Sequence, residues 1–317
     1  MKTGWFKHVW FLHSLYLLIM IFMVCLITGC YQEPDDGRYY RSMVVYPELP
    51  TGEIIPKLSH TVRETSGLIY INGQLWTLND SGHQAQLYQL DSTSGDILRI
   101  VTLINAFNHD WESLNFDDDY VYIGNTGNNK GVRKNLSVYR IDRKILADHS
   151  IQKVEAEEIS YRYEDQKFFP EALRHNFDCE ALIPSRDSIY LITKNRSNYM
   201  THIYVIPNRP GEWIARRVGS WNSDGQITEA TQDDKSGRIV LLGYIYYPQM
   251  KKNNSFIWII DAADYPRFWK DTGKRWNLDL NRQTEAITFI DSNTFWISAE
   301  KSNFEAASIF QAVLPAN

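Results

Sequence analysis

From residue 43 onward the chain alternates short apolar runs with clusters of Gly, Asp, Asn and Ser, and helical periodicity is nearly absent. Five segments share one layout, beginning at Glu64, Glu112, Glu180, Glu229 and Glu285, at intervals of 48, 68, 49 and 56 residues. Each opens with an apolar run, turns at a polar cluster such as Asn72-Gly73 or Asp291-Ser292-Asn293, and returns through a second run. A third run follows with an aromatic residue in its second place: Tyr88, Tyr139, Tyr204, Trp258 and Phe310. Their recurrence assigns this series to the core between units. Fourth strands are predicted at 97–103, 157–163, 213–218 and 275–280. Four antiparallel strands per unit of roughly 50 residues predict an all-β fold, a β-propeller. Five blades match the glutamates, and six stay open because the 68-residue interval has room for a degenerate unit. The last unit stops before a fourth strand. Residues 43–46 are the N-terminal strand expected to complete that blade and close the ring.

Propeller geometry turns the repeat into a site. The innermost strand of a blade leaves one face of the disc and the second strand returns to it, so its start and the other's end meet at the channel mouth. Two readings of Glu64, Glu112, Glu180, Glu229 and Glu285 stand side by side. Each carboxylate accepts hydrogen bonds from backbone N–H groups of a neighbouring blade, or together they ring a hard cation, Ca²⁺ or Mg²⁺. Two carboxylates about 6 Å apart repel by about 3 kcal/mol at an effective dielectric near 20, so a metal, Lys194, Arg63 or raised pKa values must relieve the ring. The ends of the second strands differ from blade to blade: Asn79 with Asp80, then Asn125, Lys194, Tyr244 and Glu300. Asp110 and Asp178 each stand two residues before a repeat glutamate. Acceptors, a cation, a phenol and acids in one place suit oxygen coordination of a divalent ion or acid–base work.

The N-terminus carries a different signal. Lys2 and Lys7 precede an apolar stretch over residues 9–29, which ends in Leu26-Ile27-Thr28-Gly29-Cys30. Small residues before a cysteine resemble the bacterial lipobox, and this predicts a signal peptide over 1–29, an acylated Cys30, a flexible tether over 30–42 and one propeller domain over 43–317. An uncleaved membrane span is the alternative reading of the same apolar run. Either places the domain in the bacterial cell envelope, outside the cytoplasm, and Tyr31 after Cys30 favours the outer membrane. Cys25 leaves with the signal, so Cys179 is the lone thiol of the domain and is expected to be buried and inert.

Composition narrows the function by exclusion. A net charge of −5 leaves no electrostatic drive toward nucleic acid. His83, His109, His175 and His202 lack zinc-site spacing, and no nucleophile elbow, phosphate loop or dinucleotide fingerprint occurs. A monomer is expected.

The elements Trp76-Thr77-Leu78-Asn79-Asp80-Ser81-Gly82, Asp110-Trp111-Glu112, the run from Tyr122 to Asn129, and Asp178-x-Glu180-Ala181-Leu182 resemble those of a family of bacterial exported β-propellers. More distantly the layout is similar to calcium-dependent phosphotriesterase-like and phytase-like propellers. Asn125 and Asn128 stand where the pattern often has aspartates. With no nucleophile–base pairing in the sequence, and propellers often serving as docking platforms, the expected role is a lipid-anchored propeller that binds a small-molecule or protein ligand at the channel mouth, with Ca²⁺ or Mg²⁺ as a candidate cofactor. The alternative is a metal-dependent hydrolase of phosphate or other esters that uses the carboxylate-rich mouth.

Overall fold

The computed structural model describes residues 44–315, except 170–173, 234, 248, 262–266 and 271. The predicted signal peptide, Cys30 and the tether lie outside the described residues. The chain divides into a unit over 1–44 and a unit over 45–317, and the second is the subject below.

Two short strands come first, β1 (Glu48–Leu49) and β2 (Thr51–Ile55). The first meander is β3 (Thr65–Ile71), β4 (Gln74–Asn79), β5 (Gln86–Leu90) and β6 (Ile97–Leu103). The second is β7 (Ser113–Phe116), β8 (Tyr120–Asn125) and β9 (Leu136–Asp142), followed by a short helix α1 (Lys144–Ala147), a strand β10 (Lys153–Val154) and β11 (Glu157–Tyr163). The third is β12 (Cys179–Ser185), β13 (Ser188–Thr193), β14 (Thr201–Pro207) and β15 (Gly211–Trp221). The fourth is β16 (Gln226–Gln232), β17 (Ile239–Tyr247), β18 (Lys252–Ile260) and β19 (Lys274–Leu278). The last is β20 (Thr284–Phe289), β21 (Thr294–Ala299) and β22 (Ser308–Val313).

The fold is all-β and of propeller type. First strands lie side by side: β3 against β7, β7 against β12, β12 against β16, β16 against β20, and β20 against β3 again. A separate apolar cluster fills each gap between successive meanders, such as Trp76, Leu87, Trp111 and Ile123 between the first two. Tyr88, Tyr139, Tyr204 and Phe310 are buried there, as their recurrence predicts.

The closing strand differs from the one expected. Residues 44–47 carry no strand, and β2 supplies the fourth strand of the last sheet by pairing antiparallel with β22. The strand 51–55 places Ile55 fully inside the seam between last and first meanders, whereas Val45 is 94% exposed. Outer edges are covered in several ways: β10 pairs parallel with β6, β1 with β19, and β11 with β15. The last pairing joins two meanders into one eight-stranded sheet and hides edges that invite aggregation.

The connections gather at two ends. One end has the tight turns at Asn72-Gly73, Asp117–Asp119, Arg186-Asp187 and Asp291–Asn293. Asn72 and Gly73 both have positive φ, 52° and 76°, which the two-residue hairpin requires. The other end carries the longer loops and the starts of all the first strands.

Candidate functional site

Strand pairing shows that the five repeat glutamates are not equivalent. A bulge interrupts β12 between Cys179 and Ala181 and β20 between Thr284 and Ala286, so Glu180 and Glu285 are the extra residues. Glu112 matches them: its N–H donates to Gly124 O at 2.9 Å while Ser113 also pairs with Gly124. The corresponding bulges hold Ser66 in β3 and Thr228 in β16. A bulge re-aims the extra side chain, and only three glutamates share that aim.

Glu64 and Glu229 sit elsewhere for identifiable reasons. Glu64 aligns with Asp178, because Asp80 N–H donates to Glu64 O at 2.8 Å as Lys194 N–H does to Asp178 O at 2.7 Å. Its carboxylate pairs with His83 Nε2 at 2.8 Å and is 40% exposed. Glu229 is wholly buried and reaches from β16 to β7, accepting from Ser113 Oγ at 2.7 Å and Leu114 N–H at 3.3 Å. Those strands are not neighbours in the ring, so the side chain spans its middle. Asn115 Nδ2 does the same, donating to Leu182 O at 2.8 Å and Ala230 O at 3.0 Å. These bonds tie the strands together around the axis. Glu229 thus performs the backbone-capping task, for a blade two places away.

At the mouth the carboxylate oxygens of Asp80, Asp110 and Glu112 lie within 4.8 Å of one another. Asp80 follows β4, while Asp110 and Glu112 precede β7, so the cluster straddles the first two meanders. Burial, and then the charge of Asp110, push Asp80 up to about 7. Burial raises Asp110 too, and it raises Glu112 well above the carboxylate range with help from Asp80 and Glu180. Three acids that resist simultaneous ionisation are what a divalent ion would relieve.

Gly127 backs the cluster. A Cβ there would collide with Glu112 Oε1 and with the Asp110 carboxyl group. Gly127→Ala is therefore expected to spread the three carboxylates and abolish any thermal stabilisation by Ca²⁺ or Mg²⁺, measurable as the loss of a midpoint shift in a protein with unchanged circular dichroism.

Beside the acids stands a cationic group. Lys194 Nζ is 3.0 Å from Glu180 Oε2 with both side chains buried, and it lies 5.2 Å from the Tyr244 ring centre. Burial alone would lower Lys194, but Glu180, Tyr244 and Glu285 together override it and hold the ammonium well above its ordinary value. Arg196 bridges Asp178 Oδ2 at 3.0 Å and Glu180 Oε1 at 3.7 Å, so two cations face Glu180 and favour the ion pair against the burial that raises its carboxyl group. Burial pushes Tyr244 up to about 12, and burial with Glu285 and Asp80 pushes Glu300 up to about 8. Burial raises Glu285, against the pull of Lys194.

Asn79 and Asn125 are committed to the backbone. Their side-chain oxygens accept the N–H of Glu64 and of Asp110, each at 3.3 Å, and both are buried. They set the level of the carboxylates. Asp178 likewise accepts Asn128 N–H at 2.6 Å. The structure therefore brings Asp80, Asp110, Glu112, Glu180, Lys194, Tyr244, Glu285 and Glu300 to one end, with Asp178 behind them. Sequence reasoning missed Arg196 and Gly127. Arg196 follows Lys194 by two residues, a spacing that puts both on one side of an extended segment.

A cavity of about 870 Å³ opens beside the cluster, lined by Arg63, Asp80, Lys251, Gln283, Glu300 and Lys301 among others. Lys252 and Asn253 belong to β18. Cys179 is fully buried and its thiol is pushed up to about 12 by burial, which removes it from nucleophilic chemistry.

No protein-family model matches this chain. No curated protein sequence matches it either. Among solved structures it is similar to the endo-arabinase of Bacteroides thetaiotaomicron, at 10% identity over 84% of this chain and 98% of that one, with a TM-score of 0.50. Glutaminyl cyclase from Myxococcus xanthus aligns at 14% identity over 86% of this chain and 100% of that one, TM-score 0.48. The endo-arabinanase of Bacillus licheniformis aligns at 10% over 83% and 97%, TM-score 0.47. At such identities the likeness concerns the fold.

Proposed function

We propose that this chain is a five-bladed, lipid-anchored β-propeller of the bacterial cell envelope, of the exported kind that its sequence elements resemble. It binds a polar ligand at the channel mouth with the help of a divalent cation. The observation that carries the cation is the convergence of Asp80, Asp110 and Glu112 oxygens within 4.8 Å. Adjacent to them, the 870 Å³ cavity has the size of a ligand pocket. Ca²⁺ or Mg²⁺ fits an all-oxygen donor set of this kind better than softer metals do.

The test is the thermal midpoint of the protein in detergent, with chelator and then with millimolar Ca²⁺ or Mg²⁺. Saturation at about 100-fold above Kd adds about 2.7 kcal/mol. A rise that Asp110→Asn removes supports the site, and no rise with either ion removes the cation from the proposal.

A second reading is metal-dependent hydrolysis of phosphate or other esters. It is favoured by Glu300, whose carboxyl group on the cavity wall keeps its proton up to about pH 8, as a general acid must. Glu300→Gln would then abolish turnover of aryl esters or aryl phosphates while leaving the cation shift intact. Inertness of the unaltered protein on both substrate classes would leave binding alone.

A further inference from the structure

The two ends of the domain differ in their exposed apolar side chains. Phe107, Phe168, Met250 and Phe304 are 70%, 83%, 64% and 95% exposed, and each tips a different loop at the end that carries the acid cluster. Val132 and Tyr246 stand exposed at the same end. Scattered apolar residues need no explanation, but every exposed phenylalanine and methionine among the described residues falls on this end. The turns at the opposite end are tipped by Asp91, Asp118, Asp119, Asp187 and Asp291.

Lysines flank all of these tips except Phe107 and Tyr246. Lys167 precedes Phe168, Lys251 and Lys252 follow Met250, Lys301 leads into Phe304, and Val132 lies between Lys130 and Lys134. Five acids at this end, Asp110, Glu112, Asp178, Glu180 and Glu285, are buried, while Glu164 and Glu305 stand exposed near the tips. Apolar tips beside exposed lysines, spread around a rim rather than joined in a groove, suit a soft planar partner that all the tips can enter together. That is the interface of an anionic bilayer, where side chains sink to the headgroup boundary and lysines meet lipid phosphates.

We propose that the loop end carrying Phe107, Phe168, Met250 and Phe304 rests on the surface of an anionic phospholipid membrane, turning the channel mouth toward the headgroups. This rests on the lipid-anchor reading: Cys30 is 14 residues before Val44, a tether of at most about 50 Å when fully extended. Such a leash lets the domain reach the bilayer in any orientation, and the tips choose one.

The test uses the full chain, in a Cys25→Ser background, on vesicles of phosphatidylethanolamine and phosphatidylglycerol containing spin-labelled lipid. An environment-sensitive fluorophore is placed at Asn303→Cys on the loop end or at Ser292→Cys on the other; Cys179 is buried and does not compete. The expected result is quenching at 303 several-fold greater than at 292. It should vanish in Phe168→Ser/Met250→Ser/Phe304→Ser while flotation with the vesicles persists. Flotation with equal quenching at both positions, or quenching that survives the triple substitution, overturns the docking face and points to a protein partner. Failure to float overturns the anchor and the docking face together.

Discussion

In chelator, the protein should lose thermal stability as the pH is raised from about 5.5 to 8, the reverse of ordinary acid denaturation. The sign follows from which state holds the protons. Asp80 has an ordinary value of 3.8 and sits at about 7 in the fold, and Glu300 goes from 4.5 to about 8. Below the ordinary values both groups are protonated in folded and unfolded chains alike, and their contribution is fully present. Between pH 4 and 8 the unfolded chain releases protons that the folded one retains, so stability falls by up to about 1.4 kcal/mol per pH unit for each group. The loss is complete once pH passes the folded values. For Asp80 the ceiling is about 4 kcal/mol, and the pair should lower the midpoint by on the order of 10 °C. A divalent ion replaces the protons and flattens the slope. Asp80→Asn with Glu300→Gln should make it shallower without metal, leaving the share of Asp110, Glu112 and Glu285. A midpoint in chelator that is flat or rising over this range would contradict the burial assigned to both carboxyl groups.

Lys194→Met should cost about 3–5 kcal/mol, the penalty of leaving a buried carboxylate without its partner. Lys194 and Glu180 have side chains 4% and 2% exposed, at 3.0 Å, and solvent cannot replace the lost ammonium. Arg196, farther off at 3.7 Å, softens the loss without abolishing it. The double substitution Lys194→Met/Glu180→Gln should recover much of the single-mutant loss, because the uncompensated charge leaves with Glu180. Denaturant unfolding of the four proteins of this cycle measures it. Costs that merely add would mean that the two side chains act independently, and the ionic reading of the pair would fail.

These predictions depend on unequal parts of the chain's legibility. The period of the apolar runs, the polar turns and the recurrent aromatic place were enough to specify an all-β chain of repeated meanders, since strand side chains alternate with a strict period of two. The same period located the ends of four second strands, while β17 runs three residues past Tyr244 to Tyr247. Asp80, Lys194, Tyr244 and Glu300 do gather at one end, because strands of similar length that start together also finish together.

The equivalence of the five glutamates was not legible. One extra residue in a strand moves every later side chain to the other face, and a bulge exists only relative to a partner strand. Glu64 and Glu229 therefore carry the repeat in sequence and leave it in space, one to His83 and the other across the axis to Ser113. The closing strand was misplaced for a related reason. Residues 43–46 are the better β-formers, since 51–55 contains Gly52 and Glu53, and the second is selected by the seam that receives Ile55. Titration was wholly tertiary: Asp80 and Glu300 owe their retained protons to burial and to acids far away in sequence. Residue pattern alone settles the repeat, the kind of strand and the chemical types available at the mouth. Register, burial and proximity, which turn those types into a site, arise only when separate strands share one ring.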